Sequence, residues 1–212
     1  MKNKILTENP KPNTKEKILF AAKTEFLQKG FMGTNVRSIA KKAGVTTGAI
    51  YNQFKSKNDV FKAIIETVFA DFLKLMHHNP DMNYNTYNMK DSDLSIITDI
   101  SRRRFLQILD FFYVHWEEMK LLLCCAHGSS YERIGDKVIE LVESETIIWL
   151  KRDNIAISKR TKFFIHVMIS SQFSNLKEIF DHNLTKTEAE QYLLDMNQYH
   201  CAGWKQYWIT RE

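Results

Sequence analysis

Residues 44–57 read GVTTGAIYNQFKSK. Thr46, Thr47 and Tyr51 bring hydroxyls, Asn52 and Gln53 bring amides, and Lys55 and Lys57 bring ammonium groups. An Asn or Gln amide sets one donor beside one acceptor, which matches N6 and N7 of adenine in the major groove. Hydroxyls and ammonium groups bond phosphate oxygens, which fixes register on a duplex without reading its sequence. Gly48 lets the backbone approach a base edge closely. The chemistry offered is recognition rather than bond making. A polar turn between helices would have a similar composition, so the flanking elements must decide.

Those elements are helical by pattern. After Thr14, a residue suited to capping a helix start, Ile18, Ala22 and Phe26 repeat at four-residue spacing. Gly30 suits the end of that helix. Asn35 or Thr34 can cap a short helix over 36–43 that buries Ile39, Ala40 and Ala43, with Gly44 ending it. Thr46 or Thr47 can cap a third helix containing Ala49, Ile50 and Phe54. Two short helices joined by a Gly-containing turn make a helix-turn-helix, whose second helix enters the major groove. In that frame Thr47, Gly48, Tyr51, Asn52 and Gln53 meet base edges. Thr34, Thr46, Tyr51 and Lys57 suit phosphates, and Arg37 reaches either. Asn58 starts a longer helix with a wide apolar stripe from Val60 to Met76.

Charge follows the same division. Residues 1–62 hold 13 Lys and Arg against 4 Asp and Glu, or +9, while the rest hold 17 against 21, or −4. A basic first third on a mildly acidic body points to a polyanion at one end. Residues 1–13 read as a flexible basic arm.

The run TKEKILFAAKTEFLQKGFMGTNVRSIAKKAGVTTGAIYNQFKSKNDVFKAIIE, residues 14–66, strongly resembles the DNA-binding domain of the tetracycline-repressor (TetR) family of transcriptional regulators. The matching elements are I-x-x-A-A, G-F-x-x-T, I-A-x-x-A-G-V and G-x-I-Y-x-x-F-x-x-K, the last two at the family's spacing. The resemblance implies that Tyr51 and Lys57 grip phosphates and that positions 36, 37, 47, 48, 52 and 53 face the groove. Ser38 departs from the family's frequent Asp, and Asn52-Gln53 departs from a bulky residue followed by His. Both bear on which operator is read, not on the fold. The resemblance also implies a variable C-terminal helical domain for ligand sensing and dimerisation. Its last two helices would form a four-helix bundle with those of a second copy, placing two recognition helices on a palindromic operator. Ligand could then release the protein from DNA or act as co-repressor; the alternative is a regulator that binds DNA independently of any ligand.

The body supports this in part. Residues 77–92 are polar and read as a loop. Helical periodicity runs over about 94–125, 131–152, 157–182 and 186–208, and Thr185 with Glu188 makes the capping pattern T-x-x-E. The segment 106–128 is rich in large apolar side chains and suits an apolar or aromatic ligand, although plain core packing explains most of its residues. Phe112, His115, Trp116 and Met119 are the candidates there, with His166 and Gln172 able to face them. Apolar positions of the last two helices, among them Ile165, Met168, Ile169, Leu193, Tyr199 and Trp204, exceed what one small core needs and suit a homodimer. Cys124-x-x-His127 offers too few ligands for a metal. Adjacent Cys124 and Cys125 read as inert thiols unless one is activated. Arg102-Arg103-Arg104 reads as a solvated face, or as a contact for an acidic ligand or for the N-terminal domain.

The chain has 7 Gly and 3 Pro in 212 residues, which favours long helices over many short strands. No apolar run reaches the length of a membrane span, the charged start does not read as a secretory leader, and three cysteines make a poor disulfide framework, so the expected location is cytoplasmic. No nucleophile elbow, zinc-protease, P-loop or dinucleotide motif occurs, so neither an enzyme nor a cofactor is expected. The expected architecture is all-α with about nine helices. It divides into an arm (1–13), a three-helix helix-turn-helix domain (14–60) and a larger helical ligand-sensing and dimerisation domain (61–212). The expected partners are double-stranded DNA, a small-molecule effector and a second copy of the chain.

Overall fold

The computed structural model describes residues 12–77, 93–152 and 154–210. The expected arm, apart from its last two residues, and most of the expected 77–92 loop lie outside these. Among the described residues there are nine α-helices and no strand: α1 (Thr14–Gly33), α2 (Val36–Ala43), α3 (Thr47–Tyr51), α4 (Lys57–His77), α5 (Leu94–Val114), α6 (Trp116–Cys124), α7 (Ile134–Arg152), α8 (Lys159–Asp181) and α9 (Lys186–Ile209). The first three form an N-terminal helix-turn-helix, and a larger helical body follows.

The helix starts show the chemistry of capping. Asn13, not Thr14, caps α1: its Oδ1 accepts from Glu16 N while the Glu16 carboxylate accepts from Asn13 N, both at 3.0 Å. Asn35 caps α2 and Thr46 caps α3 by the side chain alone, each accepting a backbone N–H from three residues on. Thr185 and Glu188 form the expected capping box of α9.

Packing then joins these pieces. Ile18, Ala22 and Phe26 of α1 meet Ile39 of α2, Ile50 of α3 and Phe61 of α4 in a buried core. The rings of Phe26, Phe31 and Phe61 lie 5.0–5.8 Å apart. The long α4 carries that core onward to Phe72, which packs with Phe112, itself 5.0 Å from Phe180. A second core at the far end gathers Ile97, Leu150, Ile165 and Trp208. Helices α5 and α9 run antiparallel: the Tyr113 hydroxyl donates to the Leu184 carbonyl at 2.5 Å, and Asn197 Nδ2 donates to the Thr98 carbonyl at 2.9 Å.

The single helix expected over 94–125 is two helices. The chain breaks at His115 (φ −117, ψ 37), where no Gly or Pro signals it. The turn brings the first residues of α6 onto α1, where Lys23 Nζ lies 2.6 Å from both Glu117 and Glu118. Burial pulls the Lys23 pKa down, but hydrogen bonds and charge from both glutamates more than offset it and leave it raised. The other end of α6 is held as well, since Phe31 N donates to the Cys125 carbonyl at 2.8 Å. Several apolar residues of α8 and α9 expected on a surface are instead used within the chain: Ile165, Ile169 and Leu193 are buried. The large apolar side chains exposed on those helices are Phe163, Val167, Leu194, Tyr199 and Ile209.

Candidate nucleic-acid interface and ligand cavity

The turn between α2 and α3 depends on Gly44, whose φ of 66 and ψ of 33 lie in the left-handed region. Its N–H closes onto the end of α2, and Val45 N donates to the Ala40 carbonyl at 3.0 Å. Helix α3 is little more than one turn. Its buried residue is Ile50, and Phe54 just beyond it is also buried. Those two anchors fix which way the rest must point. Thr46, Thr47, Gly48, Asn52 and Gln53 are exposed, and Tyr51 stands out at 56%. A Cβ on Gly48 would meet only Thr46 Oγ1, at 3.7 Å, so packing does not demand the glycine. Arg37, on the first turn of α2, is exposed too. The surface is thus one of hydroxyls, amides and a guanidinium on a rigid three-helix base.

Two residues depart from expectation. Thr34 is 2% exposed, with its hydroxyl on the carbonyls of Glu25 and Gly30, so it ties down the end of α1 instead of offering a hydroxyl to phosphate. Lys57 is half-buried, and its ammonium donates to the carbonyls of Phe31 (2.6 Å) and Thr34 (2.7 Å) and lies 4.1 Å from the Phe31 ring centroid. Burial lowers its pKa. Two of its three donors therefore cap the end of α1, where carbonyls lack helical partners. Lys15 was not singled out by the sequence pattern, yet its Nζ sits 6.0 Å from the Phe54 ring, beside the exposed face. Ser38, where the resemblance led one to look for Asp, has its N–H on Asn35 and its hydroxyl on the Asn35 carbonyl.

The body contains a cavity of about 240 Å³ between α5, α7 and α8. A second, of about 160 Å³, adjoins it and shares Ser101, Val142, Thr146, Trp149, Ile169 and Gln172 with it. Of the six residues nominated for ligand, Gln172 borders these cavities. Phe112 and Met119 are core, each 1% exposed. The His115 ring lies 4.6 Å from that of Phe111, tilted by 47°, and Trp116 lies 4.6 Å from Phe180. His166 is exposed, with Nδ1 2.5 Å from Glu143 on α7. The cavity lining that sequence reasoning missed had a signal. Ser101, Arg104, Phe105 and Ile108 share one face of α5, as do Val138, Val142, Glu145 and Trp149 of α7. Within the arginine run, Arg102 and Arg103 pair with Asp99, while Arg104 turns inward and donates to the Leu75 carbonyl.

Burial pushes the Cys124 thiol up to about 12, aided by Asp181, and raises Cys125 as well, which disfavours the reactive thiolate. Among the described residues no group of three or more His, Cys, Asp or Glu is placed to hold a metal, and no helix is long and apolar enough to cross a membrane.

Residues 18–64 match the profile of a family described as bacterial regulatory proteins, tetR family. A probable HTH-type transcriptional regulator, YttP, of Bacillus subtilis is 33% identical over 90 residues, which are 42% of this chain and 43% of that protein. The HTH-type negative transcriptional regulator of the biofilm operon icaADBC, IcaR, of Staphylococcus epidermidis is 27% identical over 42% of this chain and 48% of its own length. The chain thus spans less than half of these relatives. Among solved structures, a TetR-like transcriptional regulator from Rhodococcus sp. RHA1 superposes with a TM-score of 0.59 at 18% identity, over 92% of this chain and 99% of that one. At that identity the likeness is one of fold.

Proposed function

We propose that the chain, whose residues 18–64 match the tetR family of bacterial regulatory proteins, is a sequence-specific DNA-binding repressor, released from a palindromic operator by a small apolar or aromatic ligand. The observation that carries this reading is α3, whose Ile50 is buried while Thr47, Gly48, Tyr51, Asn52 and Gln53 all face outward. Asn52 and Gln53 read adenines, and Arg37 reads a base or a phosphate. Thr46 and Tyr51 hold phosphates, and Lys57 has one donor left to join them. The protein works in the cytoplasm as a homodimer through α8 and α9, with recognition helices about 34 Å apart. Ligand in the α5–α7–α8 cavity favours a dimer geometry with wrongly spaced heads. A coupling of about 1–3 kcal/mol changes operator affinity about 5–150-fold.

The test is selection of bound DNA from a random pool at about 0.15 M salt. A palindromic motif is expected. Gln53→Ala then weakens binding by about 1–3 kcal/mol at one base step, while Tyr51→Phe weakens all sequences alike. Enrichment of no motif, with or without candidate ligands, would overturn the reading.

A further inference from the structure

The two cavities meet at a waist where the polar groups of Ser101, Thr146 and Gln172 lie among Val142, Trp149 and Ile169, with apolar lobes on either side. Gln172 of α8 borders both, and its amide forms no hydrogen bond with the described residues. Thr146 of α7 also borders both; its hydroxyl donates to the Val142 carbonyl at 2.8 Å, which leaves acceptor lone pairs for an occupant. Away from the waist, the larger lobe is walled by Phe105, Ile108 and Phe173, and the smaller by Ile97, Ile100 and Trp204. The volumes, about 240 and 160 Å³, together lie at the low end of the roughly 300–1,000 Å³ of ligand pockets, so each lobe holds about one ring.

Charge narrows the class further. The larger lobe is bordered by one formal charge of each sign. Arg104 is anchored on the Leu75 carbonyl, and the Glu145 carboxylate lies 2.7 Å from His77 Nδ1. The smaller lobe is bordered by His200, whose pKa is lowered by burial, which favours its neutral form. A net-charged molecule entering here would lose its hydration and meet like charge as well as opposite. An uncharged one with a single polar link loses little, because Gln172 can replace the water on that link.

Resting on the regulator reading above, we propose that the effector is an uncharged molecule of two flat apolar halves joined by a hydrogen-bonding link such as an amide. The link sits at Gln172 and the halves fill the two lobes. Ligand recognition then centres on Gln172, with Thr146 and Trp149 completing the waist.

The experiment titrates the full chain with three probes and follows tryptophan fluorescence, since Trp149 borders both lobes. Benzanilide has two rings and a neutral amide. trans-Stilbene has the same outline without the amide. 4-Carboxybenzanilide adds a negative charge. Benzanilide is expected to bind about tenfold or more tightly than either of the others, the scale of one well-made hydrogen bond. Gln172→Leu, close in size, should bring benzanilide down to the level of stilbene and leave stilbene unchanged. Thermal melting of the variant checks that it folds, and Thr146→Val gives a second, smaller loss of the same preference. Equal binding of benzanilide and stilbene, tighter binding of the carboxylate, or no binding of any probe would each overturn the proposal. DNA selection on the same preparation separates the two readings. A palindromic motif without probe binding overturns the ligand class and leaves the regulator standing. Amide-selective binding without a motif supports the cavity chemistry and sinks the regulator.

Discussion

Glu25 holds α1 to α2 through one buried carboxylate. Lys29 lies 2.6 Å from it along α1, and Lys42 reaches it from α2 at 3.3 Å. The hydrogen bond from Lys29 is the main reason its pKa falls to about 2; burial works against this, and Ser38 and Lys42 add to it. In the unfolded chain the group returns to its ordinary value of 4.5. A depressed folded pKa contributes stability that is whole above the unfolded value and is lost as pH falls through the folded one. The window is therefore pH 4.5 down to about 2. Glu25→Gln should be less stable than wild type at neutral pH and should lose less on acidification across that window, as followed by denaturant unfolding at stepped pH. Equal slopes for both proteins would mean that other carboxylates carry the acid sensitivity. At this scale the directions of the residues proposed to meet DNA were only partly legible in the sequence. Thr47, Gly48, Tyr51, Asn52 and Gln53 point outward because Ile50 and Phe54 point inward, which period alone implies. Thr34 and Lys57 turn inward because the end of α1 needs partners for its carbonyls, and that need arises only once α4 is docked on α1.

Helix α1 does not end at Gly30 but kinks there. Gly30 has φ 68 and ψ 171, a conformation nearly closed to residues with a side chain, and it turns Phe31 N onto the Cys125 carbonyl. A Cβ at this position would meet that carbonyl oxygen at an ordinary 3.8 Å, so the cost of Gly30→Ala is conformational rather than steric. A loss of about 1–3 kcal/mol is expected on urea unfolding. A loss below a few tenths would show that the kink relaxes freely and that α6 is not tied to α1 through it. The sequence marked Gly30 as a helix end, which is close in position but misses that the chain resumes a helical turn to Gly33. It gave no mark for the break at His115. Nothing in Tyr-Val-His-Trp-Glu-Glu disfavours a helix, and the break is favoured by what lies beyond it, the Lys23 contact and the packing of Trp116 on Phe180. Tertiary contacts overrode a local preference for continuing the helix. The cavity shows the reverse case. Its lining follows helical spacing on α5, α7 and α8, but that spacing looks the same whether a face meets a core or a void.

At the scale of the molecule, the exposed apolar side chains on α8 and α9 are the feature that the described residues of a single copy do not account for. Phe163 is 69% exposed and Val167, one turn on, 43%; Tyr199 on α9 is 74% exposed, and Leu194 is exposed near it in sequence. Single exposed apolar residues are ordinary, whereas a contiguous group of them on neighbouring helices would serve the proposed pairing of two copies. A two-fold pairing would set each helix against its own counterpart or its neighbour's, so one substitution acts twice. Val167→Asp would place two carboxylates in the seam, and because Val167 lies outside the chain's own core, the monomer fold should survive. The wild-type chain is expected to sediment as a dimer. Val167→Asp should sediment as a monomer with an unchanged far-ultraviolet spectrum, and its affinity for a full palindrome should fall toward that for a half-site. Tyr199→Glu tests the same seam from α9. If both variants sediment as wild type and still bind the palindrome with full affinity, the pairing surface lies elsewhere. In that case the heads are spaced by a different pair of helices, and the cavity would have to move those instead to release DNA.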